Sequence, residues 1–189
     1  RPSRSRRLIL RNNQIKTRYY AIDPLTGKHN YSNAQLCAEA VRGLFDDSFT
    51  PADIHCLAAA SSYPDQIMPG HASMVHGELG SPPCEIASVS GVCVSGMTAM
   101  KYAWLNVAAG QHPRAVAAAS EAPSYAMKAE NFEPELEHKI AALESNPEIA
   151  FEKDFLRWML SDGAGAVLMQ AQKPAEGLAL RVDWIDNLS

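Results

Sequence analysis

The sequence lacks the marks of several common protein classes. No apolar run among its 189 residues approaches the ~18 that a membrane-crossing helix requires. Cysteine is scarce: four residues, at positions 37, 56, 84 and 93, are too few to build a disulfide scaffold. No C-x-x-C pair suggests zinc, and the six histidines form no metal set. A net charge of −4 gives no general reason to expect nucleic acid as a partner. Internal repeats and low-complexity tracts are absent, and 47% hydrophobic with 20% charged residues argues against disorder. The chain opens on Arg1 with neither a Met nor an apolar signal region, so no signal peptide is expected, and the start reads as a cut. These absences predict a soluble, cytoplasmic, globular chain. At this length folding buries roughly 70% of the surface of the unfolded chain, enough for a substantial core.

The charge is unevenly placed. Arg1, Arg4, Arg6, Arg7, Arg11, Lys16 and Arg18 supply seven of the 17 basic residues before any acid appears. The remainder carries ten basic against 21 acidic groups, a balance of −11. A basic arm of this kind docks a phosphate-rich ligand or an acidic protein, or is simply a solvated tail. Between Glu130 and Asp154 there are eight acids and two lysines. Here Pro134 opens a predicted helix with Leu136, Ile140 and Leu143 on one narrow stripe, an acidic excursion over about 121–160 laid on the main body.

Elsewhere strands alternate with helices. Leu36, Ala40, Val41 and Leu44 predict a helix over 33–45 with Asn33 as its N-cap. A turn at Thr50-Pro51-Ala52-Asp53 precedes a short buried strand over 54–60. A loop at 61–65, a helix around 72–79 and a strand over 84–88 follow. Met97, Met100, Trp104 and Val107 predict a helix over 95–109 ending at Gly110. Strands are expected over 115–120, 164–170 and 178–185. The pattern is α/β with a largely parallel sheet.

Cys93 sits between a predicted strand and a predicted helix N-terminus, with Gly91 two residues before it and Gly96 three after. Helix dipole and free N–H groups at such a junction favour thiolate over thiol. Small neighbours admit a substrate to the sulfur, and the turn aims the side chain away from the sheet edge, at the place where α/β proteins bind ligands. Position alone also fits a small buried hydrophobe. Cys37 on a helix, Cys56 in a strand and Cys84 beside Pro83 read as packing. His71 is a candidate for lining a loop site, and the other histidines read as turn or surface residues. The run Ser161-Asp162-Gly163-Ala164-Gly165-Ala166 enters a strand; it is neither a Walker loop nor a dinucleotide turn. Its glycines would permit tight turns and close approach of another segment.

Four pieces in order resemble the thiolase-like condensing enzymes, most closely the ketoacyl-ACP synthase III branch. They are Asn13-Gln-Ile-Lys-Thr-Arg18-Tyr, the strand end Ala59-Ala-Ser-Ser62 with the following Met68-Pro69, Cys93-Val-Ser-Gly-Met-Thr-Ala, and Ser161-Asp162-Gly-Ala-Gly-Ala166. The resemblance spans about residues 8–185. It implies a thiolase-like fold, here mainly the N-terminal, nucleophile-bearing half over 19–189, with the C-terminal half absent. It implies that Cys93 takes an acyl group from a coenzyme A or acyl carrier protein thioester, with no resident cofactor and no metal. A malonyl- or 3-oxoacyl-type thioester then condenses with it in a decarboxylative Claisen reaction. The Cys93 N–H would form part of an oxyanion hole. Met68 matches an acyl-pocket position that reaches into a neighbouring subunit, which implies a homodimer.

Departures from the family pattern qualify these implications. Leu8 stands near the place of a tryptophan that normally helps hold the phosphopantetheine arm, so Arg11 and the basic arm are the expected replacement. The long excursion favours a specialised branch making secondary or polyketide-like lipids. A His and an Asn that stabilise the enolate come from the second half of the family's fold. Two alternatives stay open: a non-catalytic partner subunit of a condensing complex, and an α/β-hydrolase with a cysteine elbow. The elbow reading rests on Gly91-Val-Cys93-Val-Ser95.

Overall fold

The computed structural model describes residues 4–128, 131, 159–175 and 177–188. The helix expected from Pro134, with most of the acidic excursion, lies outside the described residues. The chain divides into two compact units, Arg1–Ile22 with Ala122–Asp162, and Asp23–Glu121 with Gly163–Ser189.

In the first unit the basic segment is a helix, α1 (Arg4–Asn13), with Arg11 in its last turn. After it the Asn13 side chain accepts the Ile15 N–H at 2.9 Å, and Arg18 donates to the Ile15 and Thr17 carbonyls. Asp162, nearly buried, organises this unit. Its carboxylate accepts the Ala21 N–H at 2.8 Å, the Ser124 N–H at 3.0 Å and the Ser124 hydroxyl at 2.6 Å. Its own N–H donates to the Tyr19 carbonyl at 2.8 Å. A 3-10 turn at Pro123–Tyr125 presents Ser124 to it.

The second unit is built on a four-stranded sheet. Its elements are α2 (Asn33–Arg42), β1 (Cys56–Ala60), α3 (His71–Leu79), β2 (Glu85–Val89), α4 (Ser95–Ala108), β3 (Arg114–Glu121) and β4 (Gly163–Gln170). The strand order is β2-β1-β3-β4. β1 pairs in parallel with β2 and β3, and β4 runs antiparallel to β3. A central strand covered on both faces is apolar throughout, and every residue of β1 (Cys-Leu-Ala-Ala-Ala) is buried. Its alternation still sorts two cores. Leu57 and Ala59 join Val116, Ala118 and residues of α2 and α3 on one face. Cys56, Ala58 and Ala60 join Ala115 and Ala117 of β3 and Ala99 and Ala103 of α4 on the other. Among the described residues, Leu57, Val41, Val75 and Val116 are the largest apolar side chains fully enclosed, each stabilising by about 2 kcal/mol.

Local chemistry sets the helix ends. The N-cap of α2 is Ser32, not Asn33: Ser32 and Gln35 form a capping box. Asn33 is instead the first helical residue, with its side chain buried. α3 starts after Gly70, where a Cβ would stand 2.7 Å from the Ser88 hydroxyl. That hydroxyl accepts the Ala72 N–H at 2.9 Å, so β2 caps the start of α3. The strand expected over 178–185 is not formed; the segment finds no ladder partner among the described residues. Leu178, Leu180 and Trp184 stay exposed there, and the Val182 carbonyl accepts the Trp104 indole N–H at 3.2 Å instead.

Candidate active site

Cys93 falls where the sequence places it, in the turn between β2 and α4, one residue before the helix N-cap Val94. Its backbone is left-handed, with φ +65°. For a residue with a Cβ this conformation costs roughly 1–2 kcal/mol, so surrounding contacts must hold it. Cys93 is the exposed cysteine of the four. Its thiol therefore stands at the C-terminal edge of the parallel strands and at the entry to a helix whose first N–H groups lack intrahelical acceptors.

The remaining thiols are held away from chemistry. Burial pushes Cys37 up to about 11, opposed only by a hydrogen bond from Ser120. Burial, aided by the charge of Glu85, pushes Cys56 up to about 12. Cys84 is half-buried and is also raised by burial.

Behind the Cys93 turn lies a chain of polar groups that links all three parallel strands. β1 runs into Ser61 and Ser62. The Ser61 N–H donates to the Val89 carbonyl at 3.1 Å, and the Ser62 hydroxyl to the Gly91 carbonyl at 3.1 Å. From the other side Glu121, the last residue of β3, accepts the Ser62 N–H at 2.6 Å and the Ser61 hydroxyl at 3.4 Å. Ser61 in turn accepts the Asn33 amide at 2.8 Å and the Tyr63 N–H at 3.2 Å. The network continues inward: Ser120 donates to the Asn33 carbonyl at 3.1 Å and pairs with His71 Nε2 at 3.1 Å. His71 is thus a buried residue of α3 and not a loop-lining one. Burial lowers its pKa, against the charges of Asp65 and Glu121.

The other expected site residues fall on both units. Met68 is 84% exposed, in the loop between β1 and α3 of the same unit as Cys93. Arg11 is exposed on α1 of the first unit. A Cβ on Gly163 or Gly165 would meet nothing within 4 Å, so no close approach by a described residue requires glycine there. Among the described residues no group of three or more His, Cys, Asp or Glu is arranged to hold a metal. Nor is any described helix long and apolar enough to cross a membrane. Glu121, Ser120 and the inward role of Asn33 escaped the sequence reading. The available signal was an acid closing an apolar strand whose neighbour ends in two serines, at the strand edge where α/β proteins bind ligands.

No family model matches the sequence. Among solved structures, the chain is similar to the tetronic acid condensing enzyme AbyA1 at 19% identity and a TM-score of 0.63, covering 84% of this chain and 41% of that one. A 3-oxoacyl-(acyl-carrier-protein) synthase III matches at 19% identity and a TM-score of 0.64, covering 89% and 42%. A variant of Xanthomonas campestris OleA, described with bound lauric acid and lauroyl-CoA, matches at 20% identity and a TM-score of 0.60, covering 87% and 49%. The chain spans less than half the length of each of these proteins. Over that share, the chain has the α/β fold of the thiolase-like condensing enzymes.

Proposed function

We propose that the chain carries the acyl-accepting part of a thiolase-like condensing enzyme. The observation that carries this reading is the exposed Cys93, held at φ +65° between β2 and α4. In the proposed reaction the Cys93 sulfur attacks the carbonyl carbon of an acyl thioester on coenzyme A or a carrier protein. The carbonyl π bond opens onto oxygen, re-forms, and expels the donor thiol, leaving an acyl-cysteine. The Cys93 N–H is the proposed donor to the transient oxyanion. A malonyl- or 3-oxoacyl-type thioester then condenses with the acyl-cysteine, with loss of carbon dioxide in the malonyl case. Its carbanion, formed by that loss or, in the 3-oxoacyl case, by removal of an α-proton that ends on the departing Cys93 sulfur, attacks the acyl carbon; the Cys93 thiolate leaves, and a 3-oxoacyl thioester is released. Met68, on its exposed loop, is the proposed lining of the acyl pocket, and Arg11 a proposed partner for the donor's phosphates. The three solved proteins support the choice of thioester chemistry: two are named as condensing or synthase enzymes, and one holds lauroyl-CoA. We further propose a cytoplasmic homodimer working on fatty acid or polyketide-like lipids.

Intact-protein mass spectrometry after incubation with a panel of acyl-CoA and acyl-carrier thioesters tests the first step. One acyl adduct mapping to Cys93, lost in Cys93→Ala, is expected. Full acylation of Cys93→Ala, or an adduct on Cys56 or Cys84, overturns the reading.

A further inference from the structure

Three strands end side by side at the candidate site, and each contributes one part of a relay. β2 leads into the turn that carries Cys93; β1, paired with it, leads into Ser61 and Ser62; β3, on the far side of β1, ends in Glu121. A carboxylate accepting a backbone N–H makes a stronger, shorter bond than a neutral acceptor does. The 2.6 Å bond from the Ser62 N–H to Glu121 has that character. It fixes the Ser62 backbone, and the Ser62 hydroxyl then reaches the Gly91 carbonyl at 3.1 Å. Gly91 precedes by two residues a cysteine in a conformation that local sterics oppose.

The hydroxyl of Ser61 makes Glu121 hard to replace. It already accepts from the Asn33 amide and the Tyr63 N–H, so both lone pairs are engaged and its own proton must go elsewhere. Glu121 is the acceptor within reach. One carboxylate thus completes Ser61 and anchors Ser62.

We infer that Glu121 is a positioning residue for the Cys93 nucleophile, acting through Ser62 and the Gly91 carbonyl. The inference deepens the acyl-transfer reading above and rests on it for its kinetic consequence, while its structural consequence is independent of that reading.

The test compares Glu121→Ala, Glu121→Gln, Ser62→Ala and the double variant Glu121→Ala/Ser62→Ala in the full chain. Single-turnover acylation of Cys93 is followed by mass spectrometry, using the most reactive thioester of the panel. The maximal acylation rate is expected to fall about tenfold or more in Glu121→Ala and in Ser62→Ala, with half-saturation changed less than about twofold. The double variant should be no worse than the singles, because both break one relay. Glu121→Gln keeps an oxygen for the Ser62 N–H but gives up the acceptor of the Ser61 proton, so a loss of about threefold, smaller than that of Glu121→Ala, is expected. A wild-type rate in Glu121→Ala, an equal loss in the Gln and Ala variants, or multiplying losses in the double variant overturns the inference. If the parent chain acylates nowhere, the acyl-transfer reading fails by itself. Amide hydrogen exchange at Val92 to Ser95 then decides the relay: about tenfold faster exchange in Glu121→Ala and Ser62→Ala but not in Glu121→Gln sustains it, and unchanged exchange overturns it.

Discussion

Gly96 lies against Ala119 so closely that a Cβ on the glycine would stand 3.2 Å from the methyl of the alanine. This contact joins the first turn of α4, just after Cys93, to β3. A second methyl there forces a shift of a few tenths of an ångström, which the helix propensity of alanine offsets in part. A branched side chain has no such relief. Gly96→Val is therefore expected to destabilise the protein by about 2 kcal/mol, against a near-neutral Gly96→Ala, as read from urea unfolding midpoints.

Thiol reactivity should separate the cysteines sharply. Cys37 and Cys56 are fully enclosed and raised to about 11 and about 12, so near neutral pH they remain protonated. In the native chain at about pH 8, a disulfide reagent should titrate one thiol rapidly, with Cys84 following slowly. Cys93→Ala should remove the fast phase and leave the others unchanged. A fast phase that survives this substitution would place the accessible thiol elsewhere.

Asp162 is expected to be the costliest single polar residue to lose among the described residues of the first unit. Its removal deprives the Ala21 and Ser124 N–H groups and the Ser124 hydroxyl of one shared acceptor. Leaving such groups unsatisfied costs about 1–3 kcal/mol each where they are shielded from water. Asp162→Ala should lower the unfolding free energy by about 3 kcal/mol, and Asp162→Asn, which keeps one acceptor oxygen, by less.

Acid should weaken the fold through His71 before Asp46, Asp53 and Glu85 titrate. Burial holds the pKa of His71 below its ordinary 6.5, so just below that pH the unfolded chain binds a proton that the folded chain refuses. The stability due to neutral His71 is complete above that value and is lost as pH falls toward the folded pKa. Asp46, Asp53 and Glu85 are held low mainly by hydrogen bonds, and their contributions are lost only below 3.8 to 4.5. The urea midpoint should thus decline as pH falls below about 6.5, and His71→Gln should flatten that decline. An equal slope in His71→Gln would assign the decline to another group.

The features legible in the sequence were those written in short stretches. Cys93 stood out because a strand, a turn and a helix succeed one another within a few residues, and α4 because Met97, Met100, Trp104 and Val107 keep helical spacing. The 178–185 segment misled because an apolar run specifies extended backbone without specifying a neighbour to pair with. The N-cap of α2 slipped by one residue because Ser32 and Asn33 are both good caps, and only the capping partner Gln35 distinguishes them. Glu121 was illegible for a different reason: its partners Ser61 and Ser62 lie about sixty positions away. Nothing local marks an acid as the far end of a hydrogen bond across a parallel sheet.

The fully buried centre of the core between the sheet and α4 consists of alanines and one cysteine, with larger side chains such as Met100, Tyr102 and Val107 only at its margin: Ala58, Ala60, Ala115 and Ala117 face Ala99 and Ala103, with Cys56 among them. Side chains this short have almost no rotamers to exchange, so the seam between helix and sheet works as a spacer of fixed gauge. At the centre of that seam the spacing between α4 and the strands rests on methyl groups. Enlarging any of them would lift the nucleophile without touching the site itself, so distant alanines become tuning positions for its reach.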